Sequence, residues 1–186
     1  EGEDVGTYTV TGTATTIFLD NNYEITVVPG TLTINPAKVV ITVDSANKTY
    51  GDADPKFNYT VDVTEGKVTA EELGVTISRI PSENVGTYNI TANYNASNNY
   101  VVTVVDGTFT ITQRPATIKV DSQSMVAGNK IPELTATETG VVDGDTLDYE
   151  LKVDGTTITA VLGNNPNYDV TVVDGTLTVS KAVAQN

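Results

Sequence analysis

The stretch NNYVVTVVDGTFTI, residues 98–111, decides how this chain folds. Apolar residues recur at every second position, so Tyr100, Val102 and Val104 share one face of an extended strand. At Asp106-Gly107 the alternation skips one place, and Phe109 and Ile111 carry the apolar face onward. A slip of one residue would turn all five apolar side chains into water, so the register is firmly set. Asp-Gly is also the dipeptide of a two-residue type I′ turn, in which both central residues need positive φ. The stretch is therefore expected to be a β-hairpin closed at Asp106-Gly107.

The same pattern is written twice more, as NNYEITVVPGTLTI from Asn21 and NPNYDVTVVDGTLTV from Asn165. Tyr23 and Tyr100 are 77 positions apart, as are Gly30 and Gly107, while Gly107 and Gly175 are separated by 68. Upstream, ITVDSANKTYGDADPKF from Ile41 aligns with IKVDSQSMVAGNKIPEL from Ile118, and VGTYTV from Val5 with VGTYNI from Val85. These periods divide the chain into the C-terminal half of one repeat (1–36), a complete repeat (37–114), a shortened one (115–182) and a short tail (183–186). In the first copy Pro29-Gly30 replaces Asp-Gly; proline cannot adopt positive φ, so a type II or bulged turn is expected there. Residues 1–36 lack the strands that should cover Tyr8, Val10, Tyr23, Ile25, Val27, Leu32 and Ile34. They are expected to be a piece of a longer array, held by the neighbouring repeat or by edge-to-edge pairing with a second chain.

Further strands are read from KVVITV at Lys38, KFNYTVDV at Lys56, GVTISRI at Gly74 and GTYNITANY at Gly86. One helical signal interrupts them, TAEELG, with Thr69 and Glu72 at capping-box spacing and Gly74 as a stop. The expected fold class is mainly β: tandem small β modules with one short helical turn, which DGDTLD from Asp143 in the third copy does not repeat. A β-grasp-like arrangement is preferred, with an immunoglobulin-like β-sandwich as the alternative.

Composition narrows the chemistry. The chain has 186 residues, 10 basic and 24 acidic, for a net charge of −14. Such a surface repels nucleic-acid phosphates and anionic lipid, which argues against both as partners. Cysteine and histidine are absent, removing thiolate nucleophiles, disulfides, and the usual general base and transition-metal ligand. Asp52 with Asp54, or Asp143 with Asp145 and Asp148, could be considered Ca²⁺ ligands, but neither stretch has an EF-hand loop, and solvated turns are the plainer reading. Tyr50, Tyr59, Tyr88 and Tyr94 could stack on sugar rings, yet Tyr88, Ile90, Ala92 and Tyr94 alternate as a core face does. Lys38, Lys119 and Lys152 are the candidates for an intramolecular bond to asparagine. Scattered carboxylates without an aromatic-lined cleft, and hydroxyls without histidine, give no catalytic pair. No catalytic, cofactor-binding or metal-binding residue is assigned, and no cofactor is expected.

The ordered set KTYGDADP from Lys48, ENVGTYNI from Glu83 and the stretch at Asn98 resembles the MBG repeats, including their YGX type, of bacterial cell-surface and adhesin-like proteins. The resemblance implies a small β module repeated along an extracellular protein, with neighbouring repeats as its partners and no catalytic residues. Binding of mucin or another host glycan is the alternative function. The third copy writes MVAGNKIP for KTYGDADP: it keeps Gly128 and Pro132 but loses the tyrosine and both aspartates.

Overall fold

The computed structural model describes residues 4–14, 23–64 and 68–183. Internal contacts divide the chain into two compact units, residues 1–44, 57–78 and 90–107 in the first and 45–56, 79–89 and 108–186 in the second.

In the first unit, β1 (Gly6–Val10) and β2 (Gly30–Ile34) form an antiparallel ribbon with Tyr8 opposite Leu32. Strand β3 (Ala37–Val43) lies between an antiparallel neighbour, β5 (Tyr59–Val63), and a parallel one, β8 (Tyr100–Val105). Val39, Ile41 and Val43, at alternate positions of β3, are all buried, as period-2 patterning demands. In the second unit β4 (Ala46–Thr49) runs parallel to β9 (Gly107–Thr112). These two belong to a four-stranded sheet of order β4-β9-β7-β6, completed by β6 (Thr76–Arg79) and β7 (Gly86–Asn93).

The last repeat lies wholly in the second unit. Strand β10 (Arg114–Val120) pairs antiparallel with β12 (Ala136–Thr139) and parallel with β15 (Tyr168–Val173). A second sheet has the order β11-β16-β14-β13, from β11 (Gln123–Val126), β13 (Tyr149–Asp154), β14 (Thr157–Leu162) and β16 (Gly175–Ser180). The core gathers Ala116, Ile118 and Val120 of β10 with Leu147, Ile158, Ala160, Tyr168 and Leu177. Both sheets contribute to it, so the repeat is two β layers around one apolar centre. Val179, expected on the same covered face, is instead 48% exposed.

The Asp-Gly hairpin is not formed. Strands β8 and β9 belong to different sheets, and Gly107 and Gly175 are absent from the residues with positive φ. Each Asp-Gly marks the point where a strand leaves one sheet for the next, as at the corners of orthogonally packed sheets. A parallel partner turns with it. Ala37 pairs with Tyr100 before the corner and Ala46 with Phe109 after it, a constant spacing of 63. Arg114 pairs with Tyr168 and Gln123 with Leu177, a constant 54. This brings Gly107 abreast of Asp44 and Gly175 abreast of Asp121. A β-carbon on Gly107 would stand 2.5 Å from the Asp44 carbonyl oxygen, and one on Gly175 2.6 Å from that of Asp121. Glycine is needed there for backbone approach, not for a left-handed turn. The aspartates have their own role, Asp106 accepting a hydrogen bond from the Thr91 hydroxyl and Asp174 from that of Thr159, each at 2.5 Å.

Two further expectations are corrected. Tyr23–Pro29 carries no strand, and Tyr23 and Val28 are 80% and 85% exposed. The later copies of this segment are held as strands by β3 or β10, 63 and 54 residues upstream, and among the described residues Tyr23–Pro29 has no such pairing. The capping box does form, the Thr69 amide donating to Glu72 Oε2 and the Glu72 amide to Thr69 Oγ1. It closes a single hydrogen-bonded turn, with β6 starting at Thr76, and no α-helix is found among the described residues. One closed turn does not recover the cost of helix nucleation. Without a helix to lie across a sheet there is no β-grasp arrangement, and the parallel pairs also separate the sheets from an antiparallel immunoglobulin sandwich.

Candidate functional site

A polar cluster joins the middle repeat to the last one, and every residue in it belongs to the second unit. Strand β4 delivers Tyr50, whose amide donates to the Thr112 carbonyl at 2.9 Å, and the chain turns at Gly51 with φ of 83°. Gly128 keeps the same conformation, φ 89°, in the last repeat, which is why glycine persists there when its neighbours change. The Tyr50 hydroxyl donates to Asp145 Oδ2 at 2.8 Å, and the Tyr168 hydroxyl donates to the same oxygen at 2.5 Å. Their rings meet edge to face, 5.4 Å between centroids, a favoured aromatic geometry. The Val142 amide donates to the Tyr168 hydroxyl at 3.0 Å. Arg114 spans the cluster, donating to the carbonyls of Tyr50 and Gly140 and to Asp52 Oδ1.

The charges are mutually consistent. Hydrogen bonds from Tyr168 and Tyr50 hold the Asp145 carboxyl below its ordinary value. Burial, and then the bond to Asp145, pushes the Tyr168 hydroxyl up; for Tyr50 the bond to Asp145 comes first and burial second. Two protonated phenols thus clasp one carboxylate, the charge-assisted type of hydrogen bond.

Each unit also holds an asparagine contact of its own. The Val85 amide donates to Asn167 Oδ1 at 2.9 Å, and Asn167 Nδ2 donates to Asn84 Oδ1 at 3.2 Å. Within the first unit the Val5 amide donates to Asn99 Oδ1 at 2.8 Å, and Asn99 Nδ2 donates to Asp4 Oδ1 at 2.9 Å.

The middle repeat also holds a four-membered ion network. Lys48 is buried, and its ammonium donates to Asp54 Oδ1 at 2.8 Å and to Glu83. Arg79 reaches the same carboxylates, at 2.6 Å to Asp54 and 2.7 Å to Glu83, with its guanidinium carbon 4.8 Å from the Phe109 ring centroid. Burial opposes the Lys48 charge, but its two carboxylates outweigh that and its pKa rises. Arg79 above all, with Lys48, lowers Asp54 from 3.8 to about 2. A depressed acid adds stability above its unfolded value, and that stability is lost as pH falls through the folded one. The denaturation midpoint should therefore hold steady from pH 7 to about 5, then fall between pH about 4 and about 2. Asp54→Asn should flatten that acid limb. Denaturant titration over a pH series checks this, and an unaltered limb in the variant would assign it to other carboxylates.

The sequence candidates are dispersed by this geometry. Asp52 faces Arg114, Asp54 the network, Asp145 the tyrosines, and Asp148 accepts from the Asn164 amide at 2.8 Å, while Asp143 is exposed. No three acidic side chains of the described residues gather where a cation could be held. Of the tyrosines, Tyr50 and Tyr88 have their hydroxyls engaged and Tyr59 is half-buried. Tyr94, expected on the core face, is 38% exposed. Lys38, Lys119 and Lys152 are exposed, Lys152 pairing only with Glu150. Among the described residues the buried lysine is Lys48, which periodicity did not single out because its acids come from 6 and 35 residues away. Asn99 and Asn167 were also missed, although an asparagine stands before the tyrosine in every copy.

No curated protein matches the chain. Residues 39–110 and 116–178 each match the MBG domain (YGX type), together covering well over half of the sequence. The Tyr50-Gly51-Asp52 tripeptide of the joint falls inside the first match, and the chain belongs to the MBG domain (YGX type) family.

Proposed function

We propose that this chain is a non-catalytic structural segment of a bacterial cell-surface, adhesin-like protein, in which MBG repeats act as spacers that carry a distal binding region outward. The observation that carries this reading is the joint. Its titratable and aromatic groups, Tyr50, Asp145, Tyr168 and Arg114, are spent on one another and on backbone carbonyls. The Tyr168 ring is buried in the core, so it offers no face to a sugar. Absence of histidine and cysteine supports a role without catalysis. Extracellular placement accords with the acidic, cysteine-free composition. The partners of such a segment are its neighbouring repeats. An array of mucins and host glycans probed with the full chain tests the reading. No saturable binding is expected, and a reproducible saturable signal would replace the spacer by a glycan-binding module.

A further inference from the structure

The two asparagine contacts recur in separate units with the same geometry. In each, the residue ahead of Val-Gly-Thr-Tyr has its carbonyl pinned by that tyrosine four positions on. Tyr8 Oη donates to the Asp4 carbonyl at 2.6 Å and Tyr88 Oη to the Asn84 carbonyl at 2.7 Å. With the carbonyl held, the valine amide meets the side-chain oxygen of the asparagine that precedes Tyr100 or Tyr168. The asparagine's amino group returns to the side chain of Asp4 or Asn84. Donor and acceptor come from consecutive repeats, 94 residues apart in one case and 82 in the other.

We propose that Val-Gly-Thr-Tyr is a hook and the asparagine of the following repeat its socket, a recognition pair whose ligand is the strand start of another MBG repeat. Backbone capture by one asparagine fixes register, since only an amide at that place satisfies it. The device has a direction. In the middle repeat β6 ends at Arg79 and β7 begins at Gly86, leaving a loop that carries the hook. In the last repeat β13 and β14 are closed by Gly155-Thr156, with Asp154 opposite Thr157, and no hook remains. The joint residues Tyr50 and Asp52 are Ala127 and Asn129 there. The middle repeat both donates and receives, whereas the last one only receives.

This assignment rests on the reading of the chain as neighbouring repeats, and amide hydrogen exchange by NMR on the full chain tests it separately. Asn167→Ala should speed exchange at Val85 by roughly tenfold, the loss of one hydrogen bond, and leave Val5 unchanged; Asn99→Ala should do the reverse. Asn99→Asp sets a carboxylate against Asp4 and should also expose Val5, and adding Asp4→Asn should restore its protection. Should Asn167→Ala prevent folding, the Asn99→Asp and Asp4→Asn pair decides. Wild-type exchange at Val85 in folded Asn167→Ala, or no recovery with Asp4→Asn, overturns the hook. Either result leaves the spacer reading intact, whereas glycan binding would remove that reading and leave the hook standing.

Discussion

Gly107→Ala should lower the stability of the middle repeat by about 3 kcal/mol, and Gly107→Asn should be no milder. The new β-carbon meets the Asp44 carbonyl oxygen at 2.5 Å and its carbon at 2.9 Å, backbone atoms set at the corner between two parallel ladders, with the Asp44 amide itself bonded to the Asn58 carbonyl. Asparagine separates this cause from a turn requirement, because it enters the left-handed region readily and would sit comfortably in a type I′ hairpin. Gly175→Ala should behave like Gly107→Ala, its β-carbon facing the Asp121 oxygen at 2.6 Å. Gly30→Ala, whose nearest neighbour is 4.0 Å away, should stay within about 0.5 kcal/mol of the parent. Urea denaturation of the four variants measures all of this. Wild-type stability in Gly107→Asn would restore the hairpin.

That contrast shows what the sequence could and could not reveal. Alternation in Tyr100, Val102, Val104, Phe109 and Ile111 named the inward face correctly, because period-2 burial is a local property. The skipped place at Asp106 was equally visible, but a hairpin and a corner skip the pattern alike. What separates them is whether β9 folds back on β8 or follows β4, 63 residues upstream, and no local signal carries that. The joint was hidden for the same reason. Tyr168 read as core and Asp145 as a solvated turn residue; both were partly true, but Asp145 meets Tyr50 across 95 residues of chain and Tyr168 across 23.

Asp54→Ala is expected to cost about 3 kcal/mol, through the buried lysine it leaves with Glu83 alone more than through the bond it breaks. The Lys48 side chain is 4% exposed, and a buried ammonium that loses a carboxylate keeps its desolvation penalty. Lys48→Met should be much milder, about 1 kcal/mol or less, since Asp54 and Glu83 remain paired with Arg79 and reach solvent. The last repeat carries that exchange already, with Met125 and Ile131 at the positions of Lys48 and Asp54. Chemical denaturation of both variants decides, and a costlier Lys48→Met would show that the charges contribute more than burial takes away.

The parallel ribbon that turns the corner has a mechanical consequence. A pull on the last repeat is applied at Arg114, where β10 begins, and at Ser180, where β16 ends. Strand β10 lies parallel to β15 and β11 parallel to β16, so tension runs along the strands and tries to slide them past one another. All rungs of a pair then share the force together, whereas a hairpin pulled from its open end surrenders them one at a time. A segment wired in this way stretches little until it gives way all at once, which suits the spacer role proposed for it.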